Sequence, residues 1–411
     1  MLNNKISAEK FSMTTCLTVL FGTVYIFLFQ MKLPFNSNFL LYGMVITMFL
    51  SVIKRKKLYV NFQTLLFGFV AFISFVGIFY SSLFSRGLEE AVLFIIYFLI
   101  FLLGNLNENL IKRFIKWCGI FSLIVSLSVI IQSLIPDSFL SFASKIMKTS
   151  CLENLSNSYS VDGAYAGISA YTVNAAFFAV VGFVQAFVNI FEKKTYKLHK
   201  KAFILNLFAM LISFYAIILT SKRGIFIGLI VSIILSLSVI YRKHGSIFKI
   251  LIVLLALFIL IYVLYSTNSF ITHFVDRFNN AKDFTTGRDV IYREVLNYFD
   301  EGNVFFGNGT ASTYKVVEYG AHNIYLQILN DHGVLLGFPY LVLFIFNLFT
   351  AIKKHAVASI FIECLFLIYG FSGNPLYTSM FMLIYVFYVL YANLNFKRNE
   401  ESDENRNSHI S

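Results

Sequence analysis

Arg223, Arg288 and His322 are the side chains whose types and settings best fit chemistry. Arg223 stands in Thr220-Ser221-Lys222-Arg223-Gly224, where two adjacent cations interrupt apolar sequence and Gly224 permits a tight reversal. A guanidinium fork matches two phosphate oxygens, so one reading is a phosphate clamp with Lys222 beside it. The other is an arginine snorkelling to lipid headgroups. Arg288 closes Thr286-Gly287-Arg288 at the start of an amphipathic helix expected from Asp283 to Asp300, in which Arg288, Ile291, Val295 and Phe299 recur at helical spacing. There it is either a solvated charge or an anion ligand, and Arg293 is a further candidate for substrate contact. His322 precedes Asn323 and a short helical run, Ile324 to Leu329. Imidazole takes up a proton near neutral pH, and Asn323 is placed to orient it or a substrate hydroxyl; the alternative is a structural histidine at a membrane surface.

Other polar residues carry less. His273, Asp331 and His332 show no sign of convergence, and no His-x-x-x-His or carboxylate cluster points to a metal or another cofactor. The glycine-rich piece from Gly302 to Gly309 is a turn signal that lacks the Gly-Lys-Ser/Thr ending of a nucleotide loop. Glu363 reads as the one clear acid inside an apolar run, suited equally to an inter-helix hydrogen bond and to a proton relay.

The elements that must position these groups are membrane spans. With 58% hydrophobic and 13% charged residues and 49 Phe, the chain is an all-α polytopic membrane protein, a single bundle over 1–411. Twelve runs approach the roughly 20 apolar residues a span needs: about 11–30, 36–53, 60–80, 88–104, 118–135, 166–190, 202–220, 225–240, 250–266, 333–350, 356–372 and 376–394. Lys5 and Lys10 ahead of the first, without a small-residue cleavage site, predict a retained span and a cytoplasmic N-terminus. Alternating sides from there puts about two-thirds of the 33 Lys and Arg in short inner segments such as Lys54-Arg55-Lys56-Lys57 and Lys353-Lys354. That bias accounts for the net charge of +12 without nucleic acid. The outer face then receives 136–165, the turn at 221–224 and a large loop at 267–332 containing short helices; the tail at 396–411 is expected to be cytoplasmic and disordered. The four cysteines are scattered and form no disulfide framework. No internal repeat supports a transporter of the inverted-repeat kind.

Ser-Lys-Arg-Gly at 221–224, Thr-Gly-Arg at 286–288, Gly-Asn-Gly at 307–309 and His-Asn-Ile-Tyr-Leu-Gln at 322–327 followed by Gly333 occur in an order that resembles the O-antigen polymerase and ligase superfamily. Tyr165-Ala166-Gly167 through Asn174, and Ser372-Gly373-Asn374-Pro375, are similar to that family too. The resemblance runs from about 160 to 395. It implies a bacterial cytoplasmic membrane enzyme that moves a glycan from undecaprenyl diphosphate to an acceptor on the outer face, without metal or nucleotide sugar. By the same resemblance Arg223 and Arg288 hold the diphosphate, His322 is the base, and a chain-length regulator and a flippase of the pathway are the expected partners. The stretch from His322 to Gly333 looks more like the polymerases, which extend a lipid-linked repeat unit in O-antigen or capsule synthesis, than the ligases, which load lipid A-core. A flippase and a noncatalytic scaffold are the readings from other classes.

Overall fold

The computed structural model describes residues 13–31, 37–55, 58–105, 107–160, 163–191, 200–244 and 288–407, with isolated helical positions at 252, 255, 259 and 262. The expected span at 250–266, His273, Thr286-Gly287 and the N-terminal lysines lie outside the described residues. Within them every regular element is helical: α1 (Met13–Met31), α2 (Asn38–Arg55), α3 (Phe62–Val76), α4 (Phe84–Gly104), α5 (Glu108–Leu134), α6 (Pro136–Ala143), α7 (Thr149–Ser160), α8 (Thr172–Phe191), α9 (Lys200–Leu219), α10 (Arg223–His244), α11 (Arg288–Asp300), α12 (Ile324–Lys353), α13 (Val357–Gly370) and α14 (Ser379–Asn407). Seven helices are long and apolar enough to cross a membrane and four more apolar helices are shorter, so the chain is a multi-pass membrane protein. Its outer surface agrees. On α12, Leu335, Phe338, Ile345 and Phe349 are exposed while Tyr340, Leu343 and Phe344 are buried, an apolar exterior that suits lipid and not water.

α8 is buried on nearly all sides and so occupies the centre, where Phe177 stacks on Phe381 of α14 with ring centroids 4.0 Å apart. Polar side chains join helices inside the apolar bundle. Gln63 of α3 donates to Asn347 of α12 (2.9 Å), which in turn donates to the Tyr385 hydroxyl of α14 (2.9 Å).

Two expectations are corrected. The segment at 136–165 contains α6 and α7 in place of a plain loop. Phe139, Ala143, Met147, Cys151 and Leu155 recur every four residues and are all buried, which is the stripe that folds it down. The tail expected to be disordered continues α14 to Asn407; its Lys, Arg and Glu favour helix once the apolar part has nucleated it.

α12 starts nine residues before the expected tenth span, and its first turns are set off by a break at Gly333 (φ 67°, ψ −173°), a conformation open essentially to glycine alone. The Gly302–Gly309 piece fills that break. The N–H groups of Asn308 and Gly309 donate to the carbonyls of Asn330 (2.8 Å) and Asp331 (2.9 Å), and those of Val334 and Leu335 donate to Val304 (2.9 Å) and Phe305 (3.0 Å). Four of the backbone groups at the kink are thus re-paired, as the low-dielectric setting favours. The glycine-rich segment is a structural clasp, and its N–H groups at 308 and 309 are spent on it.

The same segment ties the bundle end together. Thr310 donates its N–H to Gly77 (3.1 Å) and its hydroxyl to Ser74 (2.7 Å), and accepts from Ser81 (2.6 Å) between α3 and α4. Tyr165 donates to the Leu219 carbonyl (3.0 Å) at the end of α9. The turns at 81–83, 163–171, 220–222, 301–323 and 371–378 therefore share one end of the molecule.

Candidate active site

At that end α13 finishes, and its last carbonyls would be orphaned. Tyrosines cap them: Tyr325 of α12 donates to Leu367 (2.7 Å) and Tyr292 of α11 donates to Phe371 (3.2 Å), while the Tyr325 ring lies 4.4 Å from that of Phe371. Gly224 in the first turn of α10 meets the same place, because a Cβ there would collide with the Ser372 side chain. Its role is close packing. The reversal between α9 and α10 is made three residues earlier by Ser221 in a left-handed conformation (φ 53°), which corrects the expectation that Gly224 turns the chain.

The beginnings of α10, α11 and α12 are thereby gathered round the end of α13. They carry Lys222 and Arg223, Arg288, and His322 with Asn323, all half-buried. Arg288 and Lys222 both press on the His322 imidazole electrostatically, and with burial as the larger cause they hold its pKa below the ordinary histidine value. The ring is therefore neutral at neutral pH and able to accept a proton. Arg288 and Lys222, near enough to act on one ring, also make a favourable seat for an anion.

His322 itself has φ 51°, uncommon for a bulky residue, and Gly320 two residues earlier has φ 79°. The chain thus turns sharply just before α12, presenting His322 ahead of the helix. Asn323 is the N-cap: its side-chain oxygen accepts from the N–H groups of Tyr325 (3.0 Å) and Leu326 (3.2 Å). That oxygen is committed to the helix, so Asn323 acts first as a structural cap.

Arg293 is not brought to this group. It sits five residues beyond Arg288, on another face of α11, and its exposed guanidinium pairs with Asp289 at 2.7 Å. The apolar spacing of α11 holds, with Val295 and Phe299 buried. Asp331 and His332 lie in a separate buried network. One Asp331 oxygen accepts from Ser312 (2.9 Å), the Thr313 N–H (2.8 Å) and the Thr313 hydroxyl (2.7 Å), while His332 stacks on Tyr340 and bonds its hydroxyl at 3.0 Å. Glu363 is buried in α13, and among the described residues neither of its carboxyl oxygens has a hydrogen-bond partner.

Sequence reasoning passed over Arg86, Glu90, Tyr314 and Gln327. Arg86 lies over the Tyr314 ring, 3.4 Å from its centroid, and Glu90 has a buried Oε2 without a partner. Glu363 is thus not alone as an acid within an apolar helix. The four-residue spacing of Arg86 and Glu90 at the start of α4 is the signal that was available.

Fold and site together define a multi-pass helical membrane protein with a cation-flanked histidine at one end of its bundle. Residues 208–341, a third of the chain, match the model of a family described as O-antigen ligase, consistent with the O-antigen polymerase and ligase superfamily. The matched stretch contains Lys222, Arg223, Arg288 and His322. No curated protein matches the chain.

Proposed function

We propose that this protein is a surface-polysaccharide polymerase that transfers a growing glycan from undecaprenyl diphosphate to a sugar hydroxyl of an incoming lipid-linked repeat unit. The observation that carries this reading is the neutral, half-buried His322 held beside Lys222 and Arg288. A base and an anion seat side by side are what a glycosyl diphosphate requires. The acceptor hydroxyl oxygen attacks the anomeric carbon as His322 takes its proton. The bond from that carbon to the diphosphate breaks, and its electron pair leaves on the diphosphate oxygen, where Arg288, Arg223 and Lys222 offset the charge. A single displacement of this kind inverts the anomeric centre. The site lies on the extracytoplasmic face of the bacterial cytoplasmic membrane, both termini on the cytoplasmic side, and the lipid tail of the donor rests against the apolar exterior.

A second reading, transfer of finished glycan to lipid A-core, is favoured by the description of the matched family. One experiment separates them: the lipid-linked glycans of cells lacking the gene, with and without complementation. Single repeat units on the final carrier, with no long chains, support the polymerase. Long polymer retained on undecaprenyl diphosphate identifies a ligase, and repeat units trapped on the cytoplasmic face would overturn both in favour of a flippase.

A further inference from the structure

Two residues before His322, the chain at Gly320 borders a second polar group. Gly320 forms its wall: a Cβ there would sit 2.7 Å from Asn374 Nδ2, 3.0 Å from Gln327 Oε1 and 3.2 Å from Tyr314 Cε1. Tyr314 is in turn within hydrogen-bonding reach of Glu90, and Tyr377 is close enough to feel the charge of Glu90. The members come from four places, α4, the 3-10 turn at Ser312–Lys315, α12 and the 371–378 turn, and nothing in their own spacing requires them to meet.

Part of their hydrogen-bonding capacity is filled, since Tyr314 reaches Glu90 and Gln327 and Asn374 Nδ2 donates to the Tyr319 carbonyl at 3.4 Å, and part is not. Among the described residues Glu90 Oε2, Asn374 Oδ1 and the Tyr377 hydroxyl are buried atoms without a partner, and fully enclosed Gln327, which Tyr314 reaches, can fill at most one of its two amide atoms that way. Buried polar atoms in a folded protein are nearly always satisfied, so a concentration of unpaired ones beside a reactive group marks a place built for an outside molecule. The cluster reaches the surface through Arg86, which is exposed, and through half-buried Tyr314 and Asn374. Acceptor oxygens outnumber donors, and one is a carboxylate. Unpaired acceptors of this kind suit a ligand rich in hydroxyl donors.

We propose that Glu90, Gln327 and Asn374, with Tyr314 and Tyr377, form the subsite that holds the hydroxyl-rich sugar of the glycan acceptor. This rests on the glycan-transfer reading above. The site then has two chemically opposite halves. Lys222, Arg223 and Arg288 take the anionic leaving group, the Glu90 side takes the neutral sugar, and His322 stands between them, reached through Gly320 and Ala321.

The test uses the full chain in lipid nanodiscs with saturating lipid-linked donor and the acceptor titrated. Asn374→Ala and the isosteric Glu90→Gln should each raise the acceptor KM about tenfold, the loss expected for a hydrogen bond to a sugar, with the donor KM unchanged. In parallel, saturation-transfer NMR follows the oligosaccharide repeat released from the cells' own polymer; its signal should fall with Asn374→Ala and persist with Arg288→Ala. An active wild type whose acceptor KM is unmoved by both variants, or whose donor KM rises equally, overturns the subsite and leaves the transfer reading standing. An inert wild type that still binds the oligosaccharide in an Asn374-dependent way keeps the subsite and removes the transfer reading.

Discussion

His322 and His332 lie ten residues apart, at the two ends of the same short helical stretch, and have opposite surroundings. His322 is half-buried, left-handed in backbone, and flanked by Lys222 and Arg288. His332 is fully enclosed, stacked on Tyr340 and hydrogen-bonded to it, in a network that continues to Ser74 of α3. The first is exposed to approach and poised for a proton. The second is held by packing against the clasp at 304–309. Residue type therefore says little by itself; the backbone breaks at His322 and Gly333 decide which imidazole faces the cations.

The contrast is broken most sharply by truncating each histidine. His322→Ala should cut polymer formation about 100- to 10,000-fold, the range for removal of a general base, at normal membrane levels. His332→Ala should instead lower thermal stability, by about 2–4 kcal/mol for a buried ring whose hydrogen-bond partner is left unpaired, with activity per folded molecule retained. Near-normal polymer from His322→Ala would sink the catalytic assignment.

The cations come next. Arg288→Ala should cost about 100-fold or more in turnover, as loss of a charge-stabilising donor does, whereas Arg223→Lys keeps the charge but loses the fork and should leave partial activity. Full activity in Arg223→Lys would favour an arginine that only snorkels to headgroups.

A subtler effect concerns pH. A base whose pKa is depressed stays neutral, and so active, until the pH falls through that lowered value. The acid limb of the rate profile should therefore lie below the ordinary histidine position, and Lys222→Gln should move it upward by removing one of the depressing charges. A limb that stays put in Lys222→Gln would separate that lysine from His322. The smallest effect belongs to Arg293→Ala. Its ion pair with Asp289 is exposed, worth about 0–1 kcal/mol, and polymer length and yield should be unchanged.

Much of the fold was legible because a span is a local property. The apolar runs coincide with the described helices to within a few residues at most ends, although α5 begins ten residues early at Glu108 and α12 nine early at Ile324. Those two starts were hidden because polar turns at the membrane surface carry no apolar signal. The site was half legible. Lys222, Arg223, Arg288 and His322 stood out as cations and an imidazole beside apolar sequence. Arg293 was a further candidate for substrate contact because the same loop carries it and Arg288, and only the orientation of α11 separates them.

By itself the sequence determined a multi-pass helical bundle and the short polar segments available for chemistry, since hydropathy acts residue by residue through the cost of burying backbone and charge in lipid. Only the tertiary structure decided that the starts of α10, α11 and α12 gather round the end of α13, that Gly224 packs where a turn was expected, and that Tyr314, Gln327 and Asn374 meet at Gly320. These contacts join residues separated by tens to hundreds of positions. Spacing along the chain does not encode distance across a bundle; helix packing and the kink at Gly333 do.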